Sequence, residues 1–305
     1  MRVFIAWLSW LLVGSAHAET WRFVAIGDTP YSNYERRELP RMLEQIAAES
    51  PELIVHAGDI KFGSTRCSDQ LLLDRKRLFD ASSVPFVFVP GDNEWVDCRS
   101  ISAGGYDPEE RLDALRRTFF QEPFSLGRKR IPVEQQSTAY PEHLRFRFGP
   151  VLFITLNVPG PDNNAGIAAK PRDEFLKRNP AVVEWLKQGF ALARTEKLPG
   201  IVVVMQADMG FKFFEAGLVN RPFTELFNTL RSETLAFPGQ VLLVHGDTHY
   251  QRVDRPMRHP QTRQRVENFT RLETFGFPFM GWVKVYIDDT DPSLFRFETR
   301  PYQPE

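Results

Sequence analysis

Five short runs of apolar residues each end in a polar turn that carries an acidic or amide side chain. The runs are unbroken and rich in β-branched residues, which is typical of strands buried on both faces. We therefore predict strands at residues 23–26, 53–57, 86–89, 201–205 and 241–244.

Between these runs, apolar residues recur at helical spacing. The spacing is found in the segments 39–46, 112–119 and 223–230. The dipeptide Asn179-Pro180 combines a capping residue with a proline suited to the first helical turn, so it predicts a helix that opens there and covers residues 181–193.

Two further pairs of runs indicate antiparallel strands. Residues 145–148 and 151–156 flank the turn Gly149-Pro150, and residues 282–287 precede a second run at 294–297. Alternating strands and helices followed by hairpins predict an α/β chain with mixed sheets. No repeat or linker divides the sequence, so we predict a single domain over residues 19–305.

The first 18 residues match a signal peptide. A basic start at Met1-Arg2 is followed by 11 uncharged residues, VFIAWLSWLLV, and then by a small-x-small pattern that ends at Ala18. The run is shorter than the roughly 20 residues that a membrane span needs. A buried N-terminal strand is the alternative. We predict an exported protein, periplasmic or extracellular, with no membrane span after removal of residues 1–18.

Composition narrows the class of protein. The chain is 42% hydrophobic and 25% charged, which excludes an intrinsically disordered chain. Its 38 basic and 39 acidic side chains give a formal net charge of −1. That balance provides no general attraction to nucleic acid or to anionic lipid.

Export would affect the oxidation state of the two cysteines, Cys67 and Cys98. An isolated pair in an oxidising compartment favours a disulfide, with two free thiols as the alternative. Neither belongs to a C-x-x-C pair, which excludes a zinc ribbon.

Four aspartates follow predicted strands: Asp28, Asp59, Asp92 and Asp247. Each Gly-Asp alone could be an ordinary turn. Ligands of open α/β sheets nevertheless collect at the carboxyl ends of the strands, where these side chains fall. At 4 Å each pair of like charges costs about 1 to 4 kcal/mol. A converging cluster therefore requires protonation, basic partners or a metal ion.

The order of these motifs, from about Val24 to His249, resembles that of the calcineurin-like metallophosphoesterases. That family carries D-x-H, G-D-x-x-D, G-N-H-(D/E), a lone histidine after a strand, and G-H-x-H. The resemblance implies a four-layer αββα sandwich of two mixed sheets flanked by helices. It also implies two metal ions bridged by one aspartate, and a small phosphoester or phosphoanhydride substrate attacked by a metal-bound hydroxide.

The sequence departs from the family pattern at six positions. Pro30, Phe62, Asn93 and Gln206 replace a histidine, an acid, the catalytic histidine and the lone histidine, while Asp92 and Asp247 replace an asparagine and a histidine. Residue by residue, the resemblance implies the metal ligands Asp28, Asp59, Asp92, Gln206, Asp247 and His249. It places Asn93 and Glu94 at the catalytic positions, and Lys61 and Arg99 are the candidate substrate-binding residues.

The altered positions keep oxygen donors, which favour manganese, magnesium or calcium over zinc. Oxygen donors also suit a hydrogen-bonded polar cluster, so two classes stay open. One is an exported metal-dependent phosphoesterase, and the other is a catalytically impaired binding protein on the same fold. An aspartyl-phosphate phosphatase is excluded because Pro30 occupies the second acidic position of its D-x-D motif. His56 and His245 are expected to be core residues.

Overall fold

The structure, a computed structural model, describes residues 20–304 of the chain. The predicted signal peptide lies outside the described residues. The helices are α1 (Asn33–Ala48), α2 (Asp69–Asp80), α3 (Pro108–Phe119), α4 (Asp173–Thr195), α5 (Phe211–Glu215) and α6 (Arg221–Ala236), with a 3₁₀ helix at Asp97–Arg99.

The strands agree closely with the apolar runs. They are β1 (Trp21–Ile26), β2 (Leu53–His56), β3 (Phe86–Phe88), β4 (Glu134–Gln135), β5 (Leu144–Phe148), β6 (Val151–Thr155), β7 (Gly166–Ile167), β8 (Lys170–Pro171), β9 (Gly200–Val204), β10 (Gln240–His245), β11 (Arg252–Asp254), β12 (Phe269–Glu273), β13 (Gly281–Ile287) and β14 (Phe295–Pro301).

Within the described residues, the strands form two mixed sheets and one two-stranded ribbon. The first sheet has the order β14-β13-β1-β2-β3, with β1, β2 and β3 parallel and β13 and β14 antiparallel. The second has the order β11-β12-β10-β9-β6-β5-β4, with a parallel centre formed by β12, β10, β9 and β6. Both predicted antiparallel pairs, β5 with β6 and β13 with β14, are confirmed.

The two sheets pack face to face between helices. Val202 and Val204 of β9 belong to the core shared with the first sheet, whereas the alternate residues Ile201 and Val203 pack with α4 and α6. Helices α1, α2 and α3 cover the other face of the first sheet through residues such as Leu39. The predicted α/β sandwich of two mixed sheets flanked by helices is therefore confirmed.

The predicted start of the fourth helix is wrong. Helix α4 begins at Asp173 and contains Pro180, so Asn179 is not its cap. The Asn179 amide instead donates to Glu225, and a buried ion pair between Glu174 and Arg178, Oε1 to Nε 2.5 Å, holds the turn before the proline. Buried partners thus outweigh the intrahelical hydrogen bond that a proline cannot make.

The search for membrane spans gives no candidate. Among residues 20–304, every helix is too short or too polar to cross a bilayer.

Candidate functional site

The carboxyl ends of strands from both sheets meet at one edge of the sandwich. Asp28, Asp59 and Asp92 follow β1, β2 and β3 of the first sheet, while Gln206 and Asp247 follow β9 and β10 of the second. The structure therefore brings together the side chains that the sequence places after its apolar runs.

Four residues of this cluster have a backbone conformation that residues other than glycine rarely adopt. The φ angles of Asp28, Asp59, Asp247 and His249 are 49°, 61°, 80° and 59°. Residues held in the left-handed region cost of order 1–3 kcal/mol each and cluster at functional sites. Aspartate tolerates this region better than most residues, which suits three of the four positions.

Asp59 is the centre of the hydrogen-bond network. Its Oδ2 accepts from the Tyr31 hydroxyl at 2.8 Å, from Asn93 Nδ2 at 2.9 Å and from Gln206 Nε2 at 3.2 Å. Its Oδ1 accepts from the Asn93 backbone N–H at 3.1 Å. Neutral donors from both sheets therefore converge on this one carboxylate.

Asp28 lies beside His249 and is linked to the second sheet. The Asp247 backbone N–H donates to both Asp28 oxygens, at 3.0 and 3.2 Å. His249 Nδ1 lies 2.8 Å from the Phe277 carbonyl oxygen, which can only accept, so Nδ1 carries the proton. The other ring nitrogen, Nε2, is directed towards the cluster. It lies 3.2 Å from the Tyr31 hydroxyl and 3.7 Å from Asp28 Oδ1.

Gln206 holds two carboxylates together through its amide nitrogen. Nε2 donates to Asp92 Oδ1 at 2.8 Å as well as to Asp59, while Oε1 accepts from the Gly160 backbone N–H at 2.5 Å. Gln206 is fully buried. A metal bond through its oxygen stays a prediction, and the amide would have to turn over to make it.

Among residues 20–304, the four buried aspartates find no lysine or arginine partner. Burial, reinforced by the neighbouring acids, raises the pKa of Asp28, Asp59 and Asp92 well above the usual range. Burial also raises the pKa of Asp247 to about 6. No lysine or arginine within residues 20–304 forms a salt bridge with any of the four.

This donor set suits a hard cation. Carboxylate oxygens and one imidazole nitrogen are ligands that bind divalent metals, and a cation would supply the missing positive charge. In the part of the chain that the structure describes, no three acidic, cysteine or histidine side chains stand in ready-made coordination geometry. In this arrangement Tyr31 and the amides of Asn93 and Gln206 donate to Oδ2 of Asp59.

Three of the predicted site residues bond to groups outside the aspartate cluster. The Glu94 carboxylate is fully buried and accepts the backbone N–H groups of Ile60 and Gly91, at 2.6 and 3.0 Å. Lys61 Nζ donates to two backbone carbonyls at 3.1 Å, and the Arg99 guanidinium donates to Asn164. In this arrangement their charged groups shape the loops, and direct substrate contact stays a prediction.

The site opens into a surface cavity of about 540 Å³. Other cavities, beside α1 and beside α2, measure about 300 and 360 Å³. Asp59, Asp92, Asn93, Asp247 and His249 all line the larger cavity. As predicted, His56 and His245 are fully buried, and neither lines it.

Sequence reasoning missed several residues that line this cavity, among them Tyr31, the exposed ring of Phe62, and Asp97. Tyr31 is 9% exposed, and its hydroxyl contacts Asp59, Asn93 and His249. The available signal was its position directly after the Asp-Thr-Pro turn.

The predicted disulfide is present. Cys67 and Cys98 are bonded and fully buried, and they join the loop after Asp59 to the 3₁₀ helix after Asp92. Among the described residues there is no free cysteine.

Fold and site together define a phosphoesterase-type protein. The model of the calcineurin-like phosphoesterase family matches residues 22–251. The chain belongs to this family, whose members are hydrolases acting on phosphoric esters.

Solved structures with similar folds include two phosphatases and PhoD. A dimetal phosphatase from Danio rerio matches with a TM-score of 0.53 at 13% identity, over 92% of this chain and 96% of its own. A purple acid phosphatase from yellow lupin seeds has a TM-score of 0.53 at 13% identity, over 93% and 54%. PhoD has a TM-score of 0.56 at 13% identity, over 93% and 69%. At this identity the likeness concerns the fold. A search of curated proteins gives no match.

Proposed function

We propose that the protein is an exported, metal-dependent phosphoesterase that hydrolyses a small phosphoester or phosphoanhydride. The observation that carries the proposal is the cluster of Asp28, Asp59, Asp92 and Asp247, whose charges find no lysine or arginine partner among the described residues. Family membership supports the reaction class. The disulfide is compatible with an oxidising compartment.

The proposed ligands divide into two groups that share Asp59. The family pattern assigns Asp28 and His249 to one ion and Asp92, Gln206 and Asp247 to the other. His249 lies beside Asp28, and Gln206 contacts both Asp92 and Asp59. The carboxylate-rich set favours manganese, magnesium or calcium over zinc. Such ions, when bound, polarise a phosphoryl oxygen and lower the pKa of a bound water.

The chain's own residues prepare this site. The Phe277 carbonyl fixes the His249 tautomer, so that Nε2 presents its lone pair to the cluster. The backbone and side-chain N–H groups of Asn93 hold the Asp59 carboxylate in one orientation. Asn93 stands where the family's catalytic histidine stands, and its amide donates a hydrogen bond without transferring a proton.

One observation favours the second candidate function, a metal-free binding protein. Four neutral donor groups already occupy the two oxygens of Asp59. A polar cluster satisfied in this way is stable without an ion if its carboxylates retain protons.

Metal content separates the two functions. We expect purified mature protein to contain divalent ion by elemental analysis. Asp59→Asn should lower the bound ion far more than Gln206→Ala does, because only the first change removes charge shared by both groups of ligands. Asp289→Asn, in the exposed turn between β13 and β14, is the matched control. Absence of divalent ion even at millimolar supply would establish the binding protein instead.

A further inference from the structure

One carboxylate in the cavity belongs to neither group of proposed ligands. Asp97 lines the pocket at the start of the 3₁₀ helix. Within residues 20–304 its side chain makes no hydrogen bond and no salt bridge, although Lys61 and Arg99 lie near enough to act on its charge. Its backbone is fixed, since its N–H donates to the Asp92 carbonyl at 3.0 Å and Cys98 beside it is disulfide-bonded.

A second unpartnered oxygen faces the same space. Asn93 is 6% exposed and uses its amide nitrogen in the site, whereas its Oδ1 accepts no hydrogen bond from the described residues. A Cβ placed on Gly63 would lie 3.0 Å from Asn93 Oδ1 and 3.1 Å from Asp97 Oδ2. The two acceptor oxygens therefore lie close together beside Gly63.

An aromatic ring lines the same cavity. Phe62, the residue before Gly63, lines the cavity and is 47% exposed. Edge contacts with Tyr31 and Phe277, with ring centroids 5.9 and 6.3 Å apart, hold the ring in place. An aromatic ring beside acceptor oxygens is an environment that attracts a cation.

The charge of the whole pocket points the same way. Four carboxylates line it, those of Asp59, Asp92, Asp97 and Asp247, and no lysine or arginine does. Two divalent ions would balance Asp28, Asp59, Asp92 and Asp247, whereas Asp97 lies near Lys61 and Arg99 without forming a salt bridge to either among the described residues.

We infer that Asn93 Oδ1, Asp97 and Phe62 form a subsite for a primary ammonium group, and that the substrate is a phosphoester of an amino alcohol. The inference rests on the proposed function. An ammonium group offers three donors, enough for both acceptor oxygens, and its charge balances that of Asp97.

Two isosteric esters test the subsite. With manganese present, kcat/KM is measured for 2-aminoethyl 4-nitrophenyl phosphate and for propyl 4-nitrophenyl phosphate, which share a leaving group and differ by one positive charge. We expect the aminoethyl ester to be preferred by roughly 10- to 100-fold, as one charged hydrogen-bonded contact allows. Asp97→Asn should bring the ratio close to one, and Asp289→Asn should leave it unchanged.

Binding provides a readout that does not depend on turnover. Calorimetry should show tighter binding of 2-aminoethyl phosphate than of propyl phosphate, and Asp97→Asn should abolish the difference. Hydrolysis of both esters at equal rates would overturn the subsite and leave the proposed function intact. Selective binding with no hydrolysis of either ester would overturn the proposed function and leave the subsite intact.

Discussion

Single residues show how far the sequence predicts the site. The aspartates at the strand ends are predictable, because an apolar run followed by Gly-Asp indicates a buried strand with the aspartate at its carboxyl end. Tyr31 is not, because the reach of its hydroxyl to Asp59 depends on the turn after Asp28 and on its packing against Phe277. For Glu94 the sequence motif predicts a catalytic role, but in the structure its carboxylate accepts hydrogen bonds from two backbone N–H groups.

Asn93 allows a prediction about the leaving group. Its amide has no proton to transfer near neutral pH, and loss of general-acid help typically costs 10²- to 10⁴-fold, most for poor leaving groups. We therefore expect hydrolysis to favour aryl esters and phosphoanhydrides over alkyl esters. Rates across phosphoesters of graded leaving-group pKa should fall steeply in the unaltered protein and less steeply in Asn93→His. A flat dependence in the unaltered protein would mean that another acid protonates the leaving group.

Among the helices and strands, α4 shows where pattern reasoning fails. Proline and a capping residue predict a boundary at 179–180. The helix continues through it because Arg178 is buried and bonded to Asn157 and Glu174, while Asn179 donates to Glu225. The strands were easier to predict, since runs such as 241–244 have few other ways to bury so many β-branched side chains.

Arg178 ties α4 to the loop that supports Gln206. It donates to the Asn157 carbonyl, to Asn163 and to Glu174, and its side chain is 1% exposed. Arg178→Met should lower the free energy of unfolding by about 3–5 kcal/mol, because it leaves a buried carboxylate without its cation. The control Arg194→Met removes a pair in which the arginine is 34% exposed, and should cost under about 1 kcal/mol. Urea unfolding measures both, and equal losses would contradict the assignment.

His143, just before β5, should make stability depend on pH. Burial lowers its pKa to about 4, so the folded state disfavours the proton that the unfolded chain accepts near its ordinary value of 6.5. Its contribution is present above pH 6.5 and is lost as the pH falls towards 4, by about 3 kcal/mol in total. His143→Phe should therefore lose less stability than the unaltered protein between these pH values in urea unfolding. Equal losses would show that His143 is not the group responsible.

For the whole molecule, the Cys67–Cys98 bond joins the loops that follow β2 and β3. Replacing both cysteines by serine should cost roughly 3 to 4 kcal/mol of unfolding free energy on the chain-entropy model. Urea unfolding measures the loss. Thiol titration of the denatured, unreduced protein should find no free thiol, and two free thiols would contradict the bond.

The layered architecture was predictable from the order of motifs, but the two edge strands of the second sheet and the two strands of the separate ribbon were not. Strands β4, β7, β8 and β11 are two or three residues long. Such segments carry no periodicity to detect, and their pairing depends on neighbours far along the chain.

The position of β1 has a consequence for synthesis on the ribosome. One edge of this strand pairs with β2. Its other edge pairs with β13, which is synthesised much later, and there Trp21 pairs with Ile287. The hydrogen bond from the Asp247 backbone N–H to the Asp28 carboxylate likewise forms only after Asp247 has been synthesised. A growing chain therefore carries an open strand edge until almost all of its described residues have emerged, and open edges are templates for aggregation. Chaperone binding to the nascent chain should therefore matter most before residues 281–287 leave the ribosome.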